Sequence, residues 1–98
     1  MGIEYRISCP PESLPKLREF LRHAGGLPCA QFPEQIEFRF RPSTPDQMPD
    51  ATAIVEAQGV YFCDHCGERE PVAVLFRRII DEALTHSDSS DSIVVTSL

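Results

Sequence analysis

The sequence predicts an α+β fold, a two-layer sandwich with two helices on one face of a four- or five-stranded, mainly antiparallel sheet. Short stretches in which apolar and polar residues alternate indicate strands, and two longer stretches with apolar residues at helical spacing indicate helices. Both helices have one apolar side, and a single sheet face covers both of them. We therefore interpret residues 1–98 as one domain built around one core.

The first strand and the first helix come from the N-terminal quarter of the chain. Residues 3–9 alternate apolar and polar side chains, and Pro10-Pro11 ends the strand because proline has no N–H to donate. Ser13 is the predicted N-cap of a helix whose leucines and Ala24 fall on one side. Gly25-Gly26 supplies the left-handed residue that commonly ends a helix.

The middle of the chain predicts two or three strands. Residues 36–41 alternate most regularly, and residues 41–49, with three prolines, form a loop long enough to be a contact surface. Residues 52–57 and 60–63 have strand composition, with Gly59 between them. Gly59 leaves two alternatives open, either a tight Gln58-Gly59 hairpin turn between two strands or a bulge in one long strand.

The C-terminal part predicts a second helix and a last strand. Pro71 suits a first helical turn, and apolar residues recur at helical spacing up to Ala83. Residues 86–92 form a polar loop before a strand at 93–96. A bulge at Gly59 gives the order β-α-β-β-α-β, which is the ferredoxin-like arrangement, and a turn gives β-α-β-β-β-α-β.

The charge distribution bears on the class of partner. The net charge is −6, and residues 50–98 carry nine acids against three bases. An acidic surface without a basic stripe disfavours nucleic acid as a partner. No apolar run approaches the roughly 20 residues that span a bilayer, and the N-terminus lacks the pattern of a signal peptide. We expect no membrane partner and a cytoplasmic location.

The segment Cys63-Asp64-His65-Cys66, followed by Gly67, is the candidate metal or thiol site. Its spacing is similar to one knuckle of a zinc ribbon, a site that needs two such knuckles. In a ferredoxin-like sheet the strands that precede the two helices are parallel neighbours, so Cys9 would join Cys63 and Cys66 as a zinc ligand. If Gly59 is a turn, His23 or Cys29 is the nearer group. The competing interpretation is that Cys63 is a small buried core residue.

No catalytic set is recognisable in the sequence. The histidines at positions 23, 65 and 86 are isolated, and Gly25-Gly26 follows a helix, whereas a phosphate-binding loop precedes one. We therefore predict that the protein is not an enzyme and has no cofactor, with zinc as the alternative.

The sheet face opposite the helices is predicted to be open and charged. It would present a set of acidic and basic residues suited to contacts with another protein: Glu4, Arg6, Glu37, Arg39 and Arg41. The sequence thus favours a small interaction or regulatory module that binds a protein partner, or a second copy of itself, through a sheet face or edge. The alternative is a zinc-binding or thiol-redox module centred on Cys63 and Cys66.

Overall fold

The computed structural model describes residues 2–42, 47–67, 69–87 and 92–98. The elements in chain order are β1 (Ile3–Ser8), a 3-10 turn (Pro11–Ser13), α1 (Leu14–His23), β2 (Leu27–Pro28), β3 (Gln35–Phe38), β4 (Ala51–Glu56), β5 (Gly59–Asp64), α2 (Arg69–Thr85) and β6 (Val94–Ser97). The predicted α+β class is confirmed. Neither helix, within the described residues, has the length and apolar character needed to cross a membrane.

The strands form one sheet in the order β2-β3-β4-β5-β1-β6, so it has six strands and not the four or five that the sequence predicted. Every neighbouring pair is antiparallel, including β1 and β5, where Ile3 lies opposite Asp64 and Ser8 lies opposite Gly59. The ferredoxin-like expectation that the strands preceding the two helices are parallel neighbours is therefore wrong. The reason is local, since the chain reverses before β5 and enters α2 running against β1.

Gly59 belongs to a hairpin, so the turn alternative is the correct one, although the turn lies one residue earlier than expected. Ala57 and Gln58 form the turn, and Glu56 pairs with Gly59 as the first residue of β5. A Cβ atom on Gly59 would lie 2.0 Å from the carbonyl oxygen of Ile7 on β1. The glycine is thus required by the close approach of two backbones.

The sequence does not predict the short strand β2 or the point at which β3 ends. β2 is only two residues long and contains Pro28, so it carries no alternation that could reveal it. β3 ends at Phe38, although the alternation continues to Arg41. The carboxylate of Asp50 accepts the backbone N–H of Phe40 at 2.8 Å, and this bond replaces the ladder hydrogen bond that another strand residue would make.

The core lies on one face of the sheet, where both helices contribute side chains. On the strands, Ile7 lies opposite Val60, and Tyr5 lies opposite Phe62. Phe76 of α2 packs against these aromatic rings, with ring centroids 4.6 Å from Tyr5 and 5.2 Å from Phe62. The predicted apolar stripes supply the helix side of the cluster: Leu14, Leu17, Leu21, Val72, Leu75, Ile79 and Ala83. Burial of each large side chain contributes about 1.5–3 kcal/mol, which makes this cluster the main source of stability.

Replacing Gly59 tests the close approach of β1 and β5. In Gly59→Ala the added methyl meets backbone atoms of Ile7 and Ser8, which cannot rotate away, so the strands must separate. We expect the free energy of unfolding, measured by urea titration with circular dichroism, to fall by about 3 kcal/mol. Gly25→Ala is the matched control, because Gly25 has open space around it and only its φ of 97° opposes a side chain. It should lose about 1–2 kcal/mol, and equal losses in the two variants would contradict the role given to Gly59.

Candidate functional site

The face of the sheet opposite the core, here called the outer face, carries most of the polar strand residues. Successive strand side chains point to opposite faces, so the partners of the core positions lie here in register. Cys63 of β5 lies between Glu4 of β1 and Thr52 of β4, and Tyr61 lies between Arg6 and Ile54. The outer face therefore has a mixed polar and charged surface.

The charged residues of this face are paired with one another. Arg6 Nε lies 3.2 Å from Glu56 Oε1, and the two residues belong to the strands on either side of β5. Arg39 Nη1 donates to Glu37 Oε1 at 2.7 Å. The exposed Arg6–Glu56 pair contributes about 0–1 kcal/mol to stability. The Arg39–Glu37 pair is partly buried, and the Nε atom of Arg39 has no hydrogen-bond partner among the described residues.

The other two residues predicted to bind a partner are also bonded within the chain. The Tyr61 hydroxyl donates to the Glu4 carboxylate. Arg41 follows the end of β3 and donates through Nη2 to Asp50 Oδ1 at 3.1 Å, and the Asp50 side chain is almost completely buried. All five predicted residues thus lie on or beside the outer face, and each has a bonding partner there.

A series of contacts between polar side chains connects β4 to the end of β5 on this face. Cys63 Sγ lies 3.8 Å from Nδ1 of His65, and Nε2 of the same ring lies 3.1 Å from the hydroxyl of Thr52. Gly2 lies over the thiol, because a Cβ atom placed there would be 2.6 Å from Cys63 Sγ. The thiol is consequently buried, with only 7% of Cys63 exposed.

Burial disfavours the charged form of both Cys63 and His65. It raises the pKa of the Cys63 thiol, and the nearby Glu4 carboxylate raises it further. Burial also lowers the pKa of His65 below its ordinary value of 6.5. The thiolate is the reactive and metal-binding form of cysteine, so this environment disfavours the ionised state that either chemistry requires.

Tyr61 is held in its neutral form by the same surroundings. Its hydrogen bond to Glu4 raises the pKa of the phenol, with a further contribution from burial, because only the protonated hydroxyl donates to the carboxylate. The Tyr61 hydroxyl therefore remains a hydrogen-bond donor to Glu4 on the outer face.

Cys66 is exposed and lies in a different local structure. Its backbone has a φ of 63°, and its N–H donates to the Asp64 carboxylate at 2.7 Å, which forms an Asx turn. Cys63 lies within the preceding strand and is buried. The two cysteines of the Cys-x-x-Cys spacing therefore differ in accessibility.

The antiparallel sheet separates Cys9 from the other two predicted metal ligands. Cys9 follows Ser8, which pairs with Gly59, so it lies at the end of β5 opposite to Cys63. Its side chain belongs to the core cluster, and its N–H donates to the Gln58 carbonyl. Among the described residues, no three histidine, cysteine or acidic side chains are arranged to hold a metal ion.

Cys29 and His23, the other groups that the sequence offered as ligands, lie near the β2 edge and α1. Cys29 directly follows β2 and donates its N–H to the Gln35 carbonyl. His23 is the last residue of α1. Neither shares a hydrogen bond or an ion pair with Cys63 or Cys66 in the described part of the chain. All four cysteines are free thiols.

The edge strand β6 is a candidate contact surface whose position the sequence did not predict. Within the part of the chain that the structure describes, it pairs only with β1, and all four of its residues are exposed. Leu98 N–H donates to the Glu4 carbonyl, so by alternation the backbone groups of Val95 and Ser97 point away from β1. No side chain from 93 to 98 is charged. The uncharged, β-branched composition of this segment was visible in the sequence, but its place at the edge was not.

Comparison with known proteins gives no relative for this chain. No protein-family model, curated protein or solved structure matches it.

The difference between the two cysteines predicts their order of reaction. We expect N-ethylmaleimide, with the labelled positions identified by mass spectrometry, to modify Cys66 at least about tenfold faster than Cys63 in the folded protein. Cys66→Ser should remove the fast phase and leave the slow ones unchanged. Equal rates at the two positions would show that the thiol of Cys63 is accessible and would favour the thiol-redox alternative.

The burial of His65 predicts a pH dependence of stability. Because its pKa is lowered by folding, the unfolded chain binds a proton more readily below the ordinary value of 6.5. The free energy of unfolding is therefore not reduced by His65 above that pH, and it decreases as the pH falls below it. His65→Gln should show a smaller loss of unfolding free energy between about pH 7.5 and about pH 5.5 than the unmodified chain. His23→Gln, at an exposed histidine, is the control, and an equal effect of both substitutions would contradict this origin.

Proposed function

We propose that this chain is a protein-interaction module that self-associates by pairing β6 with β6 of a second copy, which extends the sheet across a twofold axis. The observation that carries the proposal is the exposed, uncharged β6 edge. A strand at a sheet edge presents unpaired N–H and C=O groups that can pair with another strand.

The edge is a better contact surface than the outer face. The charges of the outer face are bonded to one another, as in the pairs Arg6 with Glu56 and Arg39 with Glu37. A partner that replaced these bonds would gain little from them. The outward backbone groups of Val95 and Ser97 gain new hydrogen bonds on pairing.

The two edges of the sheet differ in the features that prevent pairing. Edge strands are commonly blocked by shortness, proline or charge. β2 is two residues long and contains Pro28. β6 is longer and has neither proline nor charge. Association is therefore expected at β6 and not at β2.

A second copy suits this edge because a twofold axis places the same strand against itself. Charged residues near such an axis would face like charges, which is unfavourable, and this strand has none. Apolar side chains lie on both faces of the edge: Val94 is 52%, Val95 43% and Leu98 55% exposed. Pairing buries these groups on both copies.

The short length of β6 limits the strength of the proposed dimer. Contacts below roughly 1,200 Å² are typical of weak, transient complexes. We expect a reversible dimer with a dissociation constant in the micromolar range.

The alternative of a zinc-binding or thiol-redox module rests on the contact between Cys63 and His65. That contact supplies only part of a tetrahedral ligand set, and Cys9 lies too far along the sheet to complete it. Burial of the thiol also works against its ionisation. Self-association is therefore the function that the geometry supports better.

A lysine on the edge strand tests the proposal. Val94→Lys places a positive charge on the pairing strand of each copy, and Val94 is exposed enough to be replaced without loss of the core. We expect it to raise the dimer dissociation constant at least about tenfold, as measured by sedimentation equilibrium. Ser97→Pro removes an outward N–H while keeping the bonds to β1, and should have the same direction of effect.

Leu27→Lys is the matched control, because it places the same charge on the exposed β2 edge. It should leave the dissociation constant unchanged. A chain that is monomeric at millimolar concentration, or a dimer that Leu27→Lys weakens as much as Val94→Lys does, would contradict pairing through β6.

A further inference from the structure

A groove of about 180 Å³ lies between α1 and the hairpin formed by β2 and β3, at the opposite end of the sheet from β6. Its floor is apolar and consists of Ile36, Val55 and the rings of Pro28 and Pro33. Its rim carries three charged side chains: Arg18, Arg22 and Glu34. An apolar floor with a few charged groups on one side is the usual composition of a small-ligand site.

The floor is a part of the core face that the helices leave uncovered. Ile36 and Ala53 are opposite one another on β3 and β4, and Val55 lies two residues beyond Ala53 on the same face. Ala53 is completely buried, whereas Ile36 and Val55 are only partly buried and pack at the margin of the cluster. Apolar surface in this position gains free energy when a ligand removes it from water.

The rim is positively charged in a chain whose net charge is −6. Arg18 and Arg22 are one helical turn apart on α1, so both guanidinium groups reach the same side of the groove. Neither guanidinium group forms an ion pair or a hydrogen bond with any described residue. Two cations face the single carboxylate of Glu34, so the rim favours an anion.

We propose that this groove binds an apolar monocarboxylate, a small molecule with one carboxylate group on an aliphatic chain. The carboxylate would bind to the guanidinium groups of Arg18 and Arg22, which match its planar geometry. The aliphatic chain would lie on Ile36, Val55 and the proline rings. This site is independent of the self-association proposed for β6.

The surroundings of the groove favour a small molecule over a peptide. The volume is below the roughly 300–1,000 Å³ of sites for larger ligands. The adjacent strand, β2, has two residues, and Pro28 has no N–H to donate. A peptide backbone would therefore find few hydrogen bonds here.

Titration with linear carboxylates tests the ligand class. Butanoate, hexanoate and octanoate are added to the full chain, and binding is followed by amide chemical shifts in nuclear magnetic resonance spectra. We expect saturable shifts at Gly26, Ile36 and Val55, with affinity rising about fourfold for each added methylene group until the floor is covered. The methyl ester of octanoate and 1-octanol, which have no charge, should bind at least about tenfold more weakly.

Three substitutions test which charged side chains affect binding of the carboxylate. Arg22→Gln should weaken octanoate binding about tenfold, and Glu34→Gln should strengthen it because it removes the repelling carboxylate. Lys16→Gln is the matched control, since Lys16 lies on α1 but does not line this groove. All three positions are exposed, so the fold should tolerate the changes.

The proposal is overturned by absence of saturable shifts at the groove, by equal binding of octanoate and its methyl ester, or by an effect of Lys16→Gln as large as that of Arg22→Gln. The first two outcomes need no variant, so the test holds even if a substitution impairs folding. None of these outcomes depends on whether the chain dimerises, which sedimentation of the unliganded protein measures separately.

Discussion

The close packing of β5 between β1 and β4 is the constraint on which the positions of all candidate groups depend. Gly59 allows the backbone of β1 to approach at the start of β5, and the antiparallel register follows from that point. Every second residue then faces the helices, which places Phe62 in the core and Cys63 on the outer face. A shift of the strand pairing by one residue would move the core-facing side chains of β5 to the outer face and the outer ones to the core. The register therefore determines both the stability and the surface chemistry.

The outer face shows why a charged surface need not be a binding surface. Arg6, Arg39 and Tyr61 each donate to a carboxylate of the same face, and these bonds would have to break before a partner could use the groups. Among the described residues, the outward backbone groups of β6 and the guanidinium groups above the α1 groove have no such partner. Binding gains most where water is the only competitor for a polar group. The proposed contacts therefore lie at the two ends of the sheet, at β6 and beside β2, and not on its outer face.

Local patterns predicted the elements well, whereas the relations between elements were only partly predictable. Alternation and helical spacing identified β1, α1 and α2, because each pattern is complete within its own segment. The direction of β5 relative to β1 depended on Gly59, where a turn and a bulge have the same local sequence. That single ambiguity determined whether Cys9 would lie near Cys63. β2 could not be predicted, because its only support is its pairing with β3.

The two cysteines of the Cys-x-x-Cys spacing do not lie together, because the first of them belongs to a strand. A spacing of three brings two thiols together when a tight turn holds both, as in a zinc knuckle. Here Cys63 is still within β5, where the relevant period is two, so its neighbour on the same face is His65. Cys66 comes only after the chain has left the strand through the Asx turn at Asp64. The buried thiol of Cys63 and the half-buried imidazole of His65 thus lie together at the end of β5, whereas the exposed thiol of Cys66 lies on a separate turn. The same period-two rule, applied to β5 in the sequence, would have identified His65 as the contact of Cys63.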